Sequence, residues 1–166
     1  MAILLENASV VTLNRSKPVL EGQQILIHEG AILEMGRRIL ERGLPITRRI
    51  DCSQMIVMPG LVNSHSHLTE ILQKSFRDNM RMEVWRGYRA TTEDLANLKP
   101  EEIGTAAELA CSEMLKNGVT AVVDHFSTRP GLSVDKMEAI LGAFEKTGIR
   151  GMLAASLRDQ DFISLV

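Results

Sequence analysis

The sequence predicts an α/β fold in two parts: a β-rich segment over residues 1–57 and a succession of β/α units over residues 58–166. Two observations carry this. Short apolar runs bounded by turn residues fill the first third of the chain. After residue 58, strand-like runs alternate with helical patterns, which argues for a parallel sheet.

In the first part, Ala2-Ile3-Leu4-Leu5 and Ser9-Val10-Val11-Thr12 are short apolar runs. Gln24 to His28 and Ala31 to Met35 flank Glu29-Gly30, and two such runs around a Gly-containing turn predict a hairpin. Arg48 to Asp51 and Met55 to Val57 continue the strand-like pattern.

In the second part, Pro59-Gly60 punctuates the chain before a strand over Leu61 to His67. Leu68 to Lys99 reads as a long irregular segment holding the single Trp85 and the single Tyr88. A helix is predicted from Pro100 to Lys116. Pro suits the first helical turn, Glu101 and Glu102 complement the positive end of the dipole, and Asn117-Gly118 stops it. Ile103, Ala107, Ala110 and Met114 form its apolar face. Val119 to Val123 follows as a nearly all-apolar strand, as expected of one buried on both faces. A second helix over Val134 to Lys146 carries Met137, Ile140, Leu141 and Phe144 as its stripe, and Gly148 ends it. Ile149 to Ala155 is the third strand.

The totals exclude several function classes. The chain has 166 residues, 45% of them hydrophobic, with a net charge of −2. That is an ordinary globular composition, without the basic footprint of a nucleic-acid binder. No apolar run approaches a membrane span. The N-terminus lacks a basic region followed by an apolar one, so no signal peptide is expected and the cytoplasm is the expected compartment. Cys52 and Cys111 are too few for a disulfide framework, and Cys111 falls on the apolar face of the first helix as a small hydrophobe.

The chemistry lies at the end of the first parallel strand. His65 and His67 stand at i and i+2, and side chains on a strand alternate faces, so both rings can address one point. Imidazole suits zinc, and also iron and nickel. Asn63, Ser64 and Ser66 add polar groups at the same strand end. The alternative for such a pair is a surface or hydrogen-bonded role.

The run Pro59-Gly60-Leu61-Val62-Asn63-Ser64-His65-Ser66-His67 resembles the amidohydrolase superfamily of metal-dependent hydrolases. It is similar to the branch of cytosine/guanine deaminases and triazine chlorohydrolases, which includes S-adenosylhomocysteine and methylthioadenosine deaminases. Glu113 to Asp124 resembles that family's second barrel helix running into its second strand. The likeness is weakest between Thr69 and Lys99. Asn63 stands where hydantoinase and dihydroorotase branches usually carry Asp, so a binuclear cyclic amidase is the alternative.

This resemblance implies a partial (β/α)8 TIM-type barrel, its first three β/α units at residues 58–166. Residues 1–57 would be part of a small composite β-sandwich. A complete barrel needs roughly 250 residues, so the chain is expected to be an N-terminal piece, inactive alone. The implied reaction is metal-assisted hydrolysis of a C–N or C–halogen bond in a purine, pyrimidine or triazine. Hydroxide, available near neutral pH on a divalent metal (zinc, with iron or nickel as alternatives), would attack an sp2 carbon. His65 and His67 would be metal ligands. The remaining ligands and the proton-shuttling Glu come from later strands in the family, so no catalytic residue is assigned here.

Three residues are candidate substrate contacts. His125, closing the second strand, is read as lining the pocket or orienting water, ahead of direct ligation; the alternative is a hydrogen bond to the next loop. Gln73 could hydrogen-bond a heterocycle or face solvent. Trp85 could sit in a loop covering the site or pack on the surface. Arg158 and Asp159 lie past the third strand as pocket residues or a structural ion pair, and His28 is read as structural. The expected partner is a small heterocyclic substrate, with no nucleic acid and no membrane. A homo-oligomer is expected from the open sheet edge, since unpaired strand edges promote association; a non-catalytic associating unit is the further alternative.

Overall fold

One long strand organises the first unit. The computed structural model describes residues 1–40, 43–75, 79–85, 98–127 and 133–156, and the chain divides into units Met1–Pro59 and Gly60–Val166. The strands of the first unit are β1 (Ala2–Val11), β2 (Val19–His28), β3 (Ala31–Gly36), β4 (Ile46–Asp51) and β5 (Ile56–Val57). They form one sheet in the order β3-β2-β1-β4, with β5 also on β1.

The hairpin around Glu29-Gly30 is present. His28 pairs with Ala31, and Glu29 and Gly30 have φ of 50° and 78°. Both residues turn left-handed, as a two-residue hairpin loop requires. The runs at Ala2–Leu5 and Ser9–Thr12 are one strand, not two. Asn7 adopts φ 58° at a register shift between Leu5 and Ala8, so the polar interruption is a bulge. Asn7 Nδ2 donates to Asp51 Oδ1 at 3.0 Å. That bond, together with those from Ser53, holds the Asp51 carboxyl below its usual range. Ile25 and Leu26 point to opposite faces of β2. Leu26 packs with Ala2, Leu4 and Ile39, and Ile25 with Ala8, Val10 and Cys52.

The second unit holds β6 (Leu61–Ser66), a 3-10 helix (Leu68–Gln73), α1 (Pro100–Lys116), β7 (Val119–Phe126), α2 (Val134–Thr147) and β8 (Arg150–Ala155). The strands are parallel in the order β6-β7-β8. At the start of α1, the Lys99 N–H donates to Glu102 Oε2 at 2.7 Å, a reciprocal cap that satisfies an orphan donor. Gly148, at φ 76°, ends α2 and returns its N–H to the Phe144 carbonyl at 2.9 Å.

The helices cover one face of the parallel sheet. Ile103, Ala107, Ala110 and Cys111 of α1 meet Ile140, Ala143 and Phe144 of α2 over Val122 and Phe126 of β7. Leu141, expected on the buried stripe of the second helix, is exposed, and Ala143 takes its place. The smaller residue allows α2 to lie close. Gly151 of β8 sits directly under Phe144, and a Cβ there would overlap the ring. Lys146 of α2 pairs with Glu108 of α1 at 2.6 Å, and Lys74 with Glu113 at 2.7 Å. Among the described residues no helix is long and apolar enough to cross a membrane.

Candidate metal centre

The other face of the parallel sheet is not covered by these helices. Paired residues on parallel strands share a face, so Val62 and Ala121, and Val123 and Met152, belong to the same side. Val62 is 69% exposed and Met152 64%. This apolar strip leads to the C-terminal ends of the strands, where His65, His67 and His125 lie.

The register brings the histidines together. Ser66 pairs with Asp124, which sets His67 at the level of His125 on the neighbouring strand. Between Asn63 and Ser66 the register slips by one residue, and His65 occupies the slipped stretch. Its N–H donates to Asn63 Oδ1 at 3.3 Å. A bulge re-aims side chains, so simple alternation does not describe this strand end, yet the two rings still converge. Ring centroids are 5.0 Å apart for His65 and His67, 5.4 Å for His65 and His125, and 5.1 Å for His67 and His125. One nitrogen from each ring lies within 4.8 Å of the others.

The tautomer of His67 is set by its neighbour. Its Nδ1 lies 2.7 Å from the His125 carbonyl oxygen. A carbonyl only accepts, so Nδ1 carries the proton and donates, and Nε2 keeps its lone pair. Metal-ligating histidines are commonly oriented in this way. Three imidazoles, each offering one nitrogen within 4.8 Å of the others, are a donor set of the kind that suits zinc or another borderline divalent cation.

Asp124 lies between these groups in sequence but on the helix-covered side. It is fully buried. Its Oδ1 accepts the Leu68 N–H at 2.8 Å, and its Oδ2 finds no hydrogen-bond partner among the described residues. Burial pushes its pKa up to about 6, against the lowering effects of the Leu68 N–H and of His67. Two consecutive residues of β7 thus grip two consecutive residues after β6: Asp124 holds Leu68, and His125 holds His67. Sequence reasoning attached no role to Asp124, because its partner is a backbone N–H 56 residues away.

Of the other expected site residues, Gln73 ends the 3-10 helix half-buried. Trp85 is half-buried, and its backbone N–H donates to the Arg81 carbonyl at 2.9 Å. Tyr88, Arg158 and Asp159 lie outside the described residues. His28 sits 4.0 Å from Glu29 in the hairpin of the first unit. Cys52 and Cys111 are buried and free, and burial raises the Cys111 thiol above its ordinary value.

The sequence pattern that defines the amidohydrolase family matches residues 56–161. The chain is 33% identical, over 97% of its length, to 5-methylthioadenosine/S-adenosylhomocysteine deaminase of Acetivibrio thermocellus, and covers 36% of that protein. It is 31% identical, over 95% of its length, to 5'-deoxyadenosine deaminase of Methanothrix thermoacetophila, covering 34% of it. Its fold superposes on the zinc-complexed atrazine chlorohydrolase of Arthrobacter aurescens TC1 with a TM-score of 0.85 and 29% identity. That match covers 96% of this chain and 36% of the chlorohydrolase. The chain therefore spans about a third of the length of these relatives. Their names give no support to the cyclic-amidase alternative.

Proposed function

The chain belongs to the amidohydrolase family, and from that premise we propose that it carries the first metal-holding strand of a hydrolase acting on a heterocycle. The class of reaction is hydrolytic removal of an amine or halide from a ring carbon. The deaminase and chlorohydrolase relatives support this class, and they favour an adenosine derivative or a triazine as substrate. In this reading the second unit is the opening of a (β/α)8 barrel, with the imidazoles at the strand ends where such barrels build their sites. Residues 1–57 are read as part of a small composite β-sandwich.

The observation that carries the proposal is the His65–His67 pair. His67 donates from Nδ1 to the His125 carbonyl at 2.7 Å, which leaves Nε2 to a metal, and the His65 ring lies 5.0 Å away. A divalent metal held there would bring the pKa of water toward neutrality. The chain's own part is to hold that metal in a fixed place, with Asn63 bracing the His65 backbone. The strip of half-buried Ala121 and Val123 with exposed Val62 and Met152 offers an apolar wall for a flat ring. Gln73 and Trp85 are assigned to the substrate side. No carboxylate belongs to the imidazole cluster among the described residues, so these 166 residues alone are expected to bind metal without turnover.

Elemental analysis of the purified chain and of a His65→Ala/His67→Ala double variant tests the reading. About one zinc per chain, lost in the double variant, is expected. Equal metal in both proteins would overturn it. On the zinc-loaded chain, ligand-observed NMR with 5'-deoxyadenosine should detect binding that Gln73→Ala weakens.

A further inference from the structure

We propose that Asp124 is a positioning residue for the metal centre: it caps the turn after β6 from the neighbouring strand, and so leaves the His67 ring free to face a metal. The inference rests on the reading that His67 holds metal. It goes beyond that reading by assigning the site a support on the opposite face of the sheet.

The turn itself sets the problem. His67 stands at the N-cap of the 3-10 helix Leu68–Gln73, with φ −128° and ψ 85°. The first N–H groups of a helix lack partners inside it, and a cap residue commonly turns its own side chain back onto these donors. His67 makes no such bond. Its Nδ1 is engaged instead by the His125 carbonyl at 2.7 Å. The Leu68 N–H is left to Asp124, whose Oδ1 accepts it at 2.8 Å from 56 residues away in the chain. The capping task and the ligand task are thus divided between two side chains on two strands.

The burial of Asp124 points the same way. It lies on β7 between Val122 and Phe126, which pack beneath α1 and α2, and it is fully buried. Its Oδ1 has the Leu68 N–H, and its Oδ2 has no hydrogen-bond partner among the described residues. Burying a carboxyl with so few partners is unfavourable, so stability alone does not account for an acid at this core position. Placement of the turn does. The bond fixes the peptide between His67 and Leu68 from the covered side, and the His125 carbonyl fixes the ring. The Leu68 side chain, buried in the same core, adds an anchor. A group held in this way before a ligand arrives loses little freedom on binding.

Zinc affinity, measured by competition with a chelating dye, and long-range 1H–15N spectra of the metal-free chain read this role apart from stability. Asp124→Ala should weaken zinc on the order of 10-fold, the scale on which loss of a group outside the ligand shell acts. It should also turn the single Nδ1–H form of His67 into a mixture of tautomers. Asp124→Asn, which keeps an oxygen for the Leu68 N–H, should restore both. Ile140→Ala, which loosens the same core without touching that hydrogen bond, should leave the His67 ring signals unchanged. A further measurement needs no variant. Coupling is reciprocal, so saturating zinc should slow hydrogen exchange of the Leu68 amide on the order of 10-fold beyond any slowing along α2. A folded Asp124→Ala chain with wild-type zinc affinity and ring signals, or a Leu68 amide indifferent to zinc, would overturn the inference and leave the two-histidine reading intact. So would an Asp124→Asn chain that fails to restore the ring, or an Ile140→Ala chain that mixes the tautomers as Asp124→Ala does. A wild-type chain that takes up no zinc, or a His65→Ala/His67→Ala variant that binds it as well as the wild type, would sink both.

Discussion

The two faces of the β6-β7-β8 sheet are built from alternate residues of the same strands, and they carry opposite chemistry. On the helix-covered face, Val122 and Phe126 pack beneath α1 and α2, and the one charged residue among them, Asp124, is lifted to a pKa of about 6 by burial. On the other face, His65, His67 and His125 converge beside exposed apolar side chains. The difference teaches how a strand end serves two purposes. The covered face fixes the backbone, and the uncovered face inherits side chains aimed by that backbone. Asp124 and His125 are neighbours in sequence and do these separate tasks one residue apart.

The comparison can be broken first at the core. Ile140 is fully buried between the helices and the sheet, so Ile140→Ala should lower stability by about 2–5 kcal/mol in urea unfolding. A loss below about 1 kcal/mol would mean that the covered face is not the packed one. The next test concerns Asp124 in the metal-free chain. Its carboxyl keeps a proton to about pH 6 when folded, against 3.8 for the ordinary group. The native state thus binds more protons between those values, and stability should fall as pH rises through the window. The whole change is on the order of 3 kcal/mol. Asp124→Asn keeps an oxygen for the Leu68 N–H and should flatten this dependence. A wild-type chain that gains stability over the same range would contradict the burial argument.

A smaller effect is expected at Gly151, where a methyl group would overlap the Phe144 ring. Gly151→Ala should cost about 1–3 kcal/mol through overpacking, and Phe144→Leu in the same chain should recover part of it. Least of all should change at Val62. Its side chain is exposed, so Val62→Thr should shift the urea midpoint within the range of about 0.5 kcal/mol typical of surface sites. If Val62→Thr instead weakens binding of a heterocycle to the zinc-loaded chain, the contrast between the faces sharpens into one between stability and recognition.

Much of the fold was legible where a local pattern is complete. The helix over Pro100–Lys116 has a proline start, an acidic first turn, a four-three-four apolar stripe and an Asn-Gly stop, and it forms with those bounds. The Glu29-Gly30 hairpin and the pair His65/His67 were legible for the same reason, since period and turn chemistry are local. What depends on pairing between distant segments was not. Glu6-Asn7 reads as a break between strands and is a bulge, because β4 and β5 hold β1 together from its far side. The arrival of His125 beside His67 depends on the β6–β7 register, 58 residues apart. The unpartnered oxygen of Asp124 left no trace in the sequence at all.

The hydrogen bond from His67 to the His125 carbonyl also decides how this chain meets electrophiles. With Nδ1 engaged by a carbonyl at 2.7 Å, an acylating reagent such as diethyl pyrocarbonate finds a single nucleophilic nitrogen on that ring. Modification of His67 would be regiospecific at Nε2, and a bound cation would shield that same atom. The labelling pattern of one imidazole thereby becomes a chemical record of whether the site was filled.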